Sequence, residues 1–178
     1  MNYCAHCGGQ VELRVPAGDH RPRSVCASCG AVHYVNPKIV TGCIPVWEDR
    51  ILLCRRAIEP RFGLWTLPAG FMENDETVAQ AAARETLEEA GAVVEDLSLY
   101  GVFNLPYANQ VYIMLRGRLA RPEYAAGAES LEVKLVREEE IPWEQMAFRV
   151  VVRTLELFLA DRKRGAYLTH MADITRRL

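Results

Sequence analysis

The sequence lacks any apolar run close to the roughly 20 residues that span a bilayer. It also lacks a basic segment followed by an apolar one near its first residues, Met-Asn-Tyr-Cys, and so shows no secretory signal. Internal repeats and low-complexity segments are absent as well. We therefore expect a cytoplasmic protein without a membrane partner.

An excess of charge of either sign is also missing. With 21 Lys and Arg against 23 Asp and Glu, the net charge of −2 provides no whole-chain attraction to nucleic acid or to an anionic membrane. The basic cluster His20-Arg21-Pro22-Arg23 has no interleaved aromatic residues and is therefore only weak evidence for nucleic-acid binding. Half of the 178 residues are apolar, which is ordinary for a globular chain of one or two domains.

Cysteines are few, but four of the six form a spaced pattern. Cys4 and Cys7 are followed, after 18 intervening residues, by Cys26 and Cys29, which is the spacing of a structural zinc site. A segment of about 30 residues cannot build an adequate hydrophobic core, so we expect a bound metal to stabilise its fold. The alternative is two disulfides, which a chain without a secretory signal disfavours. We predict a structural Zn²⁺ held by four thiolates.

The other residues able to bind a metal receive simpler interpretations. Because four thiolates complete a tetrahedron, His6 and His33 are interpreted as bystanders. Cys43 and Cys54 lie in apolar runs and are expected to behave as small buried hydrophobic residues.

Residues 70–92, GFMENDETVAQAAARETLEEAGA, contain a helix with clear end signals. Thr77 can serve as the N-cap, with Gln80 three residues later as its capping-box partner. Gly91 stands where a left-handed residue is wanted after the last turn. The sequence therefore predicts a helix that begins after Thr77 and ends at Gly91.

One face of this helix is acidic, because Glu85, Glu88 and Glu89 fall within about 100° of one another. Like charges four residues apart cost roughly 0.2–0.5 kcal/mol per pair, and glutamates in a last turn oppose the helix dipole. A solvated acidic face is the simpler explanation, whereas a bound Mg²⁺ or Mn²⁺ would compensate both costs. The apolar residues gather on the opposite side: Ala79, Ala83, Leu87 and Ala90.

The spacing of these residues resembles the Nudix box, G-x5-E-x7-R-E-U-x-E-E-x-G-U, in which U is bulky and apolar. The matching residues are Gly70, Glu76, Arg84, Glu85, Glu88, Glu89 and Gly91. Thr86 and Ala92 occupy the two U positions with smaller side chains, which affects packing under the helix and leaves the acidic face intact. Residues 63–69, GLWTLPA, resemble the segment that precedes the box in this family.

The resemblance implies a metal-dependent hydrolase that cleaves a pyrophosphate bond. Glu85, Glu88 and Glu89 would hold Mg²⁺ or Mn²⁺ together with the carbonyl group of Ala69. One of these glutamates is alternatively the general base towards the attacking water. Arg84 would orient the carboxylates.

Further acidic residues receive roles by the same resemblance. Glu76 is implied to brace the loop before the helix. An acidic residue from a later loop often completes such sites in this family, and Glu129 and Glu132 are the candidates. The alternative for both is a solvated loop.

Several residues are candidates for substrate binding. Arg55 and Arg56 could hold phosphates, since a guanidinium fork matches their oxygen atoms; exposed arginines at a strand end are the alternative. Trp65, Phe103 and Tyr107 could stack on an adenine or flavin ring, and core packing is the alternative for each of them.

The rest of the chain predicts an α/β fold. Strands are expected at residues 38–47, 51–54, 97–103, 111–119 and 131–136, with an amphipathic helix at 148–163. Residues 56–76 are expected to form a loop that is longer than a simple connection between elements and that therefore has a functional role. The pattern resembles the Nudix architecture, a mixed sheet between helices (an α/β/α sandwich). A zinc ribbon at residues 1–34 would precede a hydrolase domain at residues 35–178.

The substrate is expected to be a nucleoside diphosphate linked to another moiety. A four-cysteine ribbon first suggests the NADH pyrophosphatases, which carry a Ser-Gln-Pro-Trp-Pro-Phe-Pro array after the box. Here the corresponding residues 103–110 read FNLPYANQ, so the array is missing, and Pro106 is closer to the ADP-ribose pyrophosphatases. The ribbon and several short motifs resemble the FAD and ADP-ribose pyrophosphatases that have an N-terminal zinc ribbon. These motifs are NPK at 36–38, RRAIEP at 55–60, TLPAGFME at 66–73, ES at 129–130 and IPW at 141–143.

We therefore expect FAD or ADP-ribose as the substrate, with NADH as the alternative. A protein of another class, which binds a nucleotide or nucleic acid without catalysis, is the remaining hypothesis. The intact Arg84-Glu85 and Glu88-Glu89 pairs argue against it. The resemblance also implies a homodimer.

Overall fold

The computed structural model of the chain describes residues 1–175 and separates the chain into two compact units. The first unit is Met1–Asn36, and the second begins at Pro37. Among residues 1–175, every helix is too short or too polar to cross a membrane.

The first unit contains a small antiparallel sheet. Its strands, in spatial order, are β1 (Val11–Arg14), β2 (Arg23–Cys26) and β3 (Val32–His33). The buried apolar side chains of residues 1–36 are those of Cys4, Val25 and Cys26. So small a core cannot by itself offset the entropy of folding, and two of its three members are thiols.

The second unit is organised around one mixed sheet. Within residues 37–175 its strands are β4 (Lys38–Trp47), β5 (Arg50–Arg56), β6 (Trp65–Thr66), β7 (Ala69–Phe71), β8 (Val94–Leu105), β9 (Gln110–Leu119), β10 (Ser130–Val136) and β11 (His170–Asp173). The order is β10-β5-β4-β9-β8-β11, with β6 paired to β5 and β7 paired to β4. β4 runs parallel to β9 and β8 parallel to β11, whereas the other pairings are antiparallel.

Helices cover both faces of this sheet. They are α1 (Val78–Ala90) and α2 (Arg149–Arg164). Successive residues of a strand point to opposite faces, and the neighbours Cys43 and Ile44 on β4 show which helix covers which face. Cys43 packs in a cluster with Ala82 of α1, while Ile44 belongs to the large core cluster with Leu155 of α2. The predicted mixed sheet between helices is confirmed.

The predicted ends of α1 are confirmed as well. The Thr77 side chain accepts a hydrogen bond from the Gln80 backbone N–H at 3.2 Å, and the Gln80 side chain accepts one from the Thr77 N–H at 2.8 Å. Gly91 ends the helix in the left-handed region with φ 58°.

The buried side of α1 is the acidic one. Its buried residues are Ala81, Ala82, Glu85, Thr86, Glu89 and Ala90. Leu87, on the side expected to gather apolar residues, is 54% exposed. Small side chains let the helix lie close to the sheet, and polar partners nearby allow carboxylates to be buried there.

Two expectations about the elements were incomplete. The expectation of one unbroken loop over residues 56–76 was wrong, because β6 and β7 lie within it and pair with β5 and β4. β11 was not predicted at all. This four-residue strand follows α2 and pairs in parallel with β8.

A buried carboxylate connects α2 to this last strand. Oδ2 of Asp161 accepts hydrogen bonds from the Tyr100 hydroxyl at 3.0 Å and the Leu168 backbone N–H at 3.2 Å, and lies 2.7 Å from Nε2 of His170. Burial alone would raise the pKa of Asp161, but the hydrogen bonds from His170, Leu168 and Tyr100 lower it. Contacts between distant parts of the chain therefore hold β11.

Candidate active site

The carboxylates at the end of α1 lie against β7. Glu85 and Glu89 are 9% and 6% exposed, whereas the side chain of Glu88 is 59% exposed. The backbone N–H of Ala69 on β7 donates a hydrogen bond to Oε2 of Glu89 at 3.3 Å. Strand and helix thus bring Ala69 together with the three glutamates that the sequence singles out.

Two glycines allow this close approach. A Cβ atom at Gly70 would overlap the carboxyl group of Glu85, and one at Gly127 would overlap the backbone carbonyl of Glu88. Because Gly70 has no side chain, the carboxyl group of Glu85 can occupy the space beside it.

Arg84 organises the surroundings of the cluster. Its guanidinium donates to Oε1 of Glu85 at 2.8 Å, to Oε2 of Glu88 at 3.1 Å and to the carbonyl oxygen of Phe71 at 3.2 Å. It also pairs with Glu76, and this interaction lowers the pKa of Glu76 to about 2. Arg84 thus fixes the loop that precedes α1 and two carboxylates of the helix at once.

The pKa values of the buried carboxyl groups Glu85 and Glu89 are raised. Burial raises the pKa of Glu89 to about 8; the Ala69 N–H and Arg56 lower it, and the charges of Glu85 and Glu129 raise it. Burial also raises the pKa of Glu85. Buried carboxylates whose charged form is disfavoured in this way gain most from positive charge placed among them.

A cavity of about 1170 Å³ opens beside the carboxylates. This volume slightly exceeds the usual range of ligand pockets, about 300–1,000 Å³. Its acidic lining consists of Glu59, Glu73, Glu85, Glu88, Glu89 and Glu129. Its apolar and aromatic lining includes Val40, Leu105, Tyr112, Ala147, Phe148 and Val150. The cavity therefore joins a negatively charged region to one suited to flat rings.

Arg56 is a buried cation in the cavity lining. Its guanidinium carbon lies 5.1 Å from the centroid of the Phe148 ring, and its Nε donates to the carbonyl oxygen of Pro60 at 2.9 Å. Its charge interacts with Glu89 and with Tyr112. The contacts with Phe148 and Pro60 hold the guanidinium in place.

The adjacent Arg55 has different partners. Its Nε donates to the carbonyl oxygen of Gly63 at 2.9 Å, and its Nη1 lies 3.8 Å from Oε2 of Glu132. Neither Arg55 nor Glu132 is among the described residues that line the cavity, whereas Arg56 and Glu129 are. Arg56 and Glu129 therefore border the cavity. Arg55 and Glu132, the other two candidates, form an ion pair with each other instead.

The three aromatic residues considered for stacking on a substrate ring lie in different surroundings. Trp65 and Phe103 are buried in the hydrophobic core, and Tyr107 lines the cavity. Sequence reasoning missed three aromatic residues of the lining, Phe71, Tyr112 and Phe148. The alternation of β9 shows that Tyr112 shares a face with Met114, but only the positions of the helices reveal that this face borders a cavity.

The four spaced cysteines meet in the first unit, where the structure shows free thiols and no disulfide among residues 1–36. Their sulfur atoms all lie within 4.8 Å of one another, with Cys4 and Cys29 at 3.8 Å and Cys7 and Cys26 at 3.5 Å. A tetrahedral zinc with bonds of about 2.3 Å requires sulfur atoms about 3.8 Å apart. The thiols therefore match the donor set and the dimensions of a four-thiolate metal site.

The two nearby histidines contact this cluster. Nε2 of His33 lies 3.2 Å from Sγ of Cys4, and the backbone N–H of His6 donates to the same sulfur at 3.3 Å. The backbone N–H of Cys29 lowers the pKa of Cys26 to about 6. Such donors stabilise the thiolate form, which is the form that binds a metal.

The chain is similar to known protein families, sequences and structures. Residues 2–35 match a family described as "Nudix N-terminal", a zinc ribbon, and residues 36–156 match the NUDIX domain. A crystal structure of a NUDIX hydrolase from Nitrosomonas europaea is 51% identical and superimposes with a TM-score of 0.95, covering 99% of this chain and 100% of that one.

Curated relatives are more distant. A NAD-capped RNA hydrolase NudC from Pseudomonas aeruginosa is 27% identical over 169 residues, covering 92% of this chain and 58% of the relative. An ADP-ribose pyrophosphatase from Methanocaldococcus jannaschii is 38% identical over 73 residues, 41% of this chain and 43% of the relative. The chain thus spans little more than half the length of the NudC relative. With its NUDIX domain and N-terminal zinc-ribbon unit, the chain belongs to the Nudix hydrolase family.

Proposed function

We propose that the protein hydrolyses the pyrophosphate bond of a nucleoside diphosphate linked to another moiety, with FAD or ADP-ribose as the substrate. The observation that carries this proposal is the shared cavity. It places the carboxylates of α1, the buried guanidinium of Arg56 and an apolar wall within a single space. A dinucleotide requires all three, because it brings a diphosphate and flat rings together.

We assign the binding of Mg²⁺ or Mn²⁺ to Glu85, Glu88, Glu89 and Glu129, together with the Ala69 carbonyl. Carboxylate and carbonyl oxygens are the ligands these ions prefer. The raised pKa of buried Glu89 supports a cation at this place, because the ionised carboxylate lacks sufficient compensation from the protein. When bound, such an ion neutralises phosphate charge and lowers the pKa of water.

The side chains of the protein supply orientation and charge. Arg84 holds Glu85 and Glu88 in position through its hydrogen bonds at 2.8 and 3.1 Å. Arg56 receives diphosphate oxygens through its guanidinium. A glutamate of the cluster accepts the proton of the attacking water. Tyr107 contacts the nucleotide from the edge of the cavity.

The size and lining of the cavity favour a large substrate. A volume of about 1170 Å³ accommodates two ring systems, and the wall formed by Phe148 and its apolar neighbours suits an adenine or flavin face. The missing proline and tryptophan array after the box removes the main sequence feature of the NADH pyrophosphatases.

The test is a substrate panel measured by AMP release with Mg²⁺ or Mn²⁺. We expect kcat/KM for FAD or ADP-ribose to exceed that for NADH and for nucleoside triphosphates by at least about tenfold, roughly 1.4 kcal/mol. A panel in which a triphosphate is best would refute the proposed substrate class. A protein that cleaves none of these compounds would refute the proposed activity.

A second candidate substrate is NADH or an NAD-capped RNA. The P. aeruginosa relative that aligns with 92% of the chain is named for hydrolysis of NAD-capped RNA. The same panel already contains NADH, and adding an NAD-capped oligonucleotide lets it separate the two candidates. In the N-terminal unit, Asp19 pairs with Arg23 at 2.8 Å, which offsets part of the basic cluster and disfavours RNA binding there.

The remaining features are proposed on the same basis. We assign residues 1–34 to a ribbon that holds structural Zn²⁺ and residues 35–178 to the hydrolase domain. A cytoplasmic homodimer agrees with the resemblance to the family. Size-exclusion chromatography with light scattering measures the mass of the assembly, and a monomeric mass would contradict the dimer.

A further inference from the structure

The hydroxyl group of Tyr112 is a feature of the cavity to which the proposed function assigns no role. Tyr112 lies on β9, is 9% exposed and lines the cavity. Across the sheet it pairs with Val40 on β4 and Phe103 on β8. The ring is thus held between neighbouring strands, in a wall that a substrate can reach.

Among residues 1–175 this hydroxyl has no hydrogen-bond partner, and because its oxygen is not one of the fully buried unpartnered atoms, it is open to the cavity. A buried tyrosine hydroxyl usually has one. Tyr100, the other deeply buried tyrosine, follows the rule: its hydroxyl donates to Oδ2 of Asp161 at 3.0 Å. Tyr112 therefore presents a donor that the described protein leaves unused at the surface of the cavity.

The surroundings of the hydroxyl indicate what it would bind. It interacts electrostatically with Tyr107, Arg56 and Glu89, all of which also line the cavity. Tyr112, Arg56 and the carboxylates of α1 thus line one cavity. Burial raises the pKa of Tyr112, so the hydroxyl keeps its proton at neutral pH and acts as a donor.

A phosphate oxygen matches this combination of groups. It accepts hydrogen bonds from a guanidinium and from a hydroxyl at the same time, and a charged acceptor makes the bond to the hydroxyl stronger than a neutral one would. A ring nitrogen or a ribose hydroxyl could also accept from both groups, but it lacks the negative charge that strengthens hydrogen bonds to a guanidinium.

We propose that the Tyr112 hydroxyl donates a hydrogen bond to a non-bridging oxygen of the substrate diphosphate, beside Arg56, and so positions the diphosphate against the carboxylates of α1. This inference rests on the proposed function for the identity of the substrate. It adds a residue of β9 to a site otherwise built from α1, β5, β7 and the loops.

Tyr112→Phe removes the hydroxyl and keeps the ring. We expect kcat/KM for ADP-ribose to fall by about tenfold or more, the effect of losing one hydrogen bond to a charged group. The melting temperature should stay unchanged, because no hydrogen bond within the protein is lost. Tyr167→Phe is the matched control: its ring stacks on Phe158 away from the cavity, and its activity should stay within about twofold of wild type.

Calorimetry identifies the group that the hydroxyl contacts. With Mg²⁺ present, Tyr112→Phe should weaken the binding of ADP by about tenfold and that of adenosine by less than about twofold. Equal losses for both ligands would place the contact on the nucleoside and overturn the inference. Unchanged ADP affinity, with or without a lower melting temperature, would overturn it as well.

These measurements separate the two proposals. A wild-type protein that binds ADP but cleaves no pyrophosphate would refute the proposed function, and the comparison of ADP with adenosine would still decide the role of Tyr112. A protein that cleaves ADP-ribose normally after Tyr112→Phe would refute the role of Tyr112 and leave the function standing.

Discussion

The guanidinium of Arg84 meets the carboxylate of Glu76 through two parallel hydrogen bonds, from Nε to Oε2 at 3.0 Å and from Nη2 to Oε1 at 2.8 Å. Glu76 also accepts the backbone N–H of Glu73 at 2.7 Å. Because Arg84 contacts Glu85 and Glu88 with its remaining donors, the pair couples the loop before α1 to the acidic face of the helix. Such a fork is available to arginine and not to lysine.

Arg84→Lys should therefore lower activity while keeping the charge. We expect kcat/KM for the best substrate to fall by about tenfold or more, because one ammonium group cannot hold three carboxylates. The matched control is Arg153→Lys, whose exposed partner Glu156 lies at 3.4 Å. Similar kinetics for both variants would show that the fork is not required.

Glu88→Gln and Glu89→Gln should each lower hydrolysis by about 10²-fold or more, roughly 3 kcal/mol, because each removes a proposed metal ligand. The measurement is AMP release at saturating Mg²⁺. Glu95→Gln, which alters an exposed ion pair with Arg118, is the control and should keep full activity. Full activity of both cluster variants would contradict the assigned metal site.

Glu129 and Glu132 should differ in their effect on metal binding. Glu129 lines the cavity and interacts with Glu85 and Glu89, whereas Glu132 pairs with Arg55. We expect Glu129→Gln to raise the Mg²⁺ concentration needed for half-maximal activity by about tenfold, and Glu132→Gln to change it by less than about twofold. A larger effect at Glu132 would reverse the assignment.

The stability of the protein without Mg²⁺ or Mn²⁺ should fall as the pH rises. The pKa of Glu89 is raised from its usual 4.5 to about 8 in the folded state, so the folded protein binds this proton more tightly than the unfolded chain. The free energy of unfolding therefore decreases as the pH increases through this window. Urea unfolding at pH 5.5 and 8.5 measures the difference.

Two further measurements identify the group responsible. Glu89→Gln should flatten the pH dependence, since the amide does not titrate. Mg²⁺ added at the higher pH should restore stability, because the ion binds the ionised carboxylates of the folded state alone. An unchanged pH dependence in Glu89→Gln would assign the effect to another group.

The cysteine cluster should hold one zinc ion per chain. Cys26→Ser should release the ion and expose residues 1–36 to proteolysis, while the hydrolase domain keeps much of its activity. Cys54→Ala changes a buried cysteine outside this cluster and should keep the zinc. Elemental analysis measures the metal, and either a zinc-free wild-type protein or a disulfide among the four cysteines of freshly reduced protein would contradict the assignment.

Much of the fold followed from local signals in the sequence. The capping pair of Thr77 and Gln80 placed the start of α1, and runs of apolar residues placed β4 and β9 to within a residue at each end. By contrast, β11 has no such signal. It is short, and it forms because β8 and Asp161 provide partners from distant parts of the chain.

The site was predictable where its residues are close in sequence. Helical spacing placed the three glutamates on one face, and the resemblance to the Nudix box added Gly70 and Arg84. The separation of Arg55 from Arg56 has a simple cause, since adjacent strand residues point to opposite faces. Which face borders the cavity depends on the packing of the helices, and no local pattern encodes that.

The bonds around Asp161 also have a consequence for protein synthesis. Its buried carboxylate lies in α2, but two of its partners, Leu168 and His170, are translated only afterwards. A chain that stops between α2 and these residues would leave this carboxylate with the Tyr100 hydroxyl and the exposed Arg164, at 3.7 Å, and the weaker compensation of its buried charge favours unfolding. Such truncated products should be more sensitive to proteolysis than the chain that carries β11.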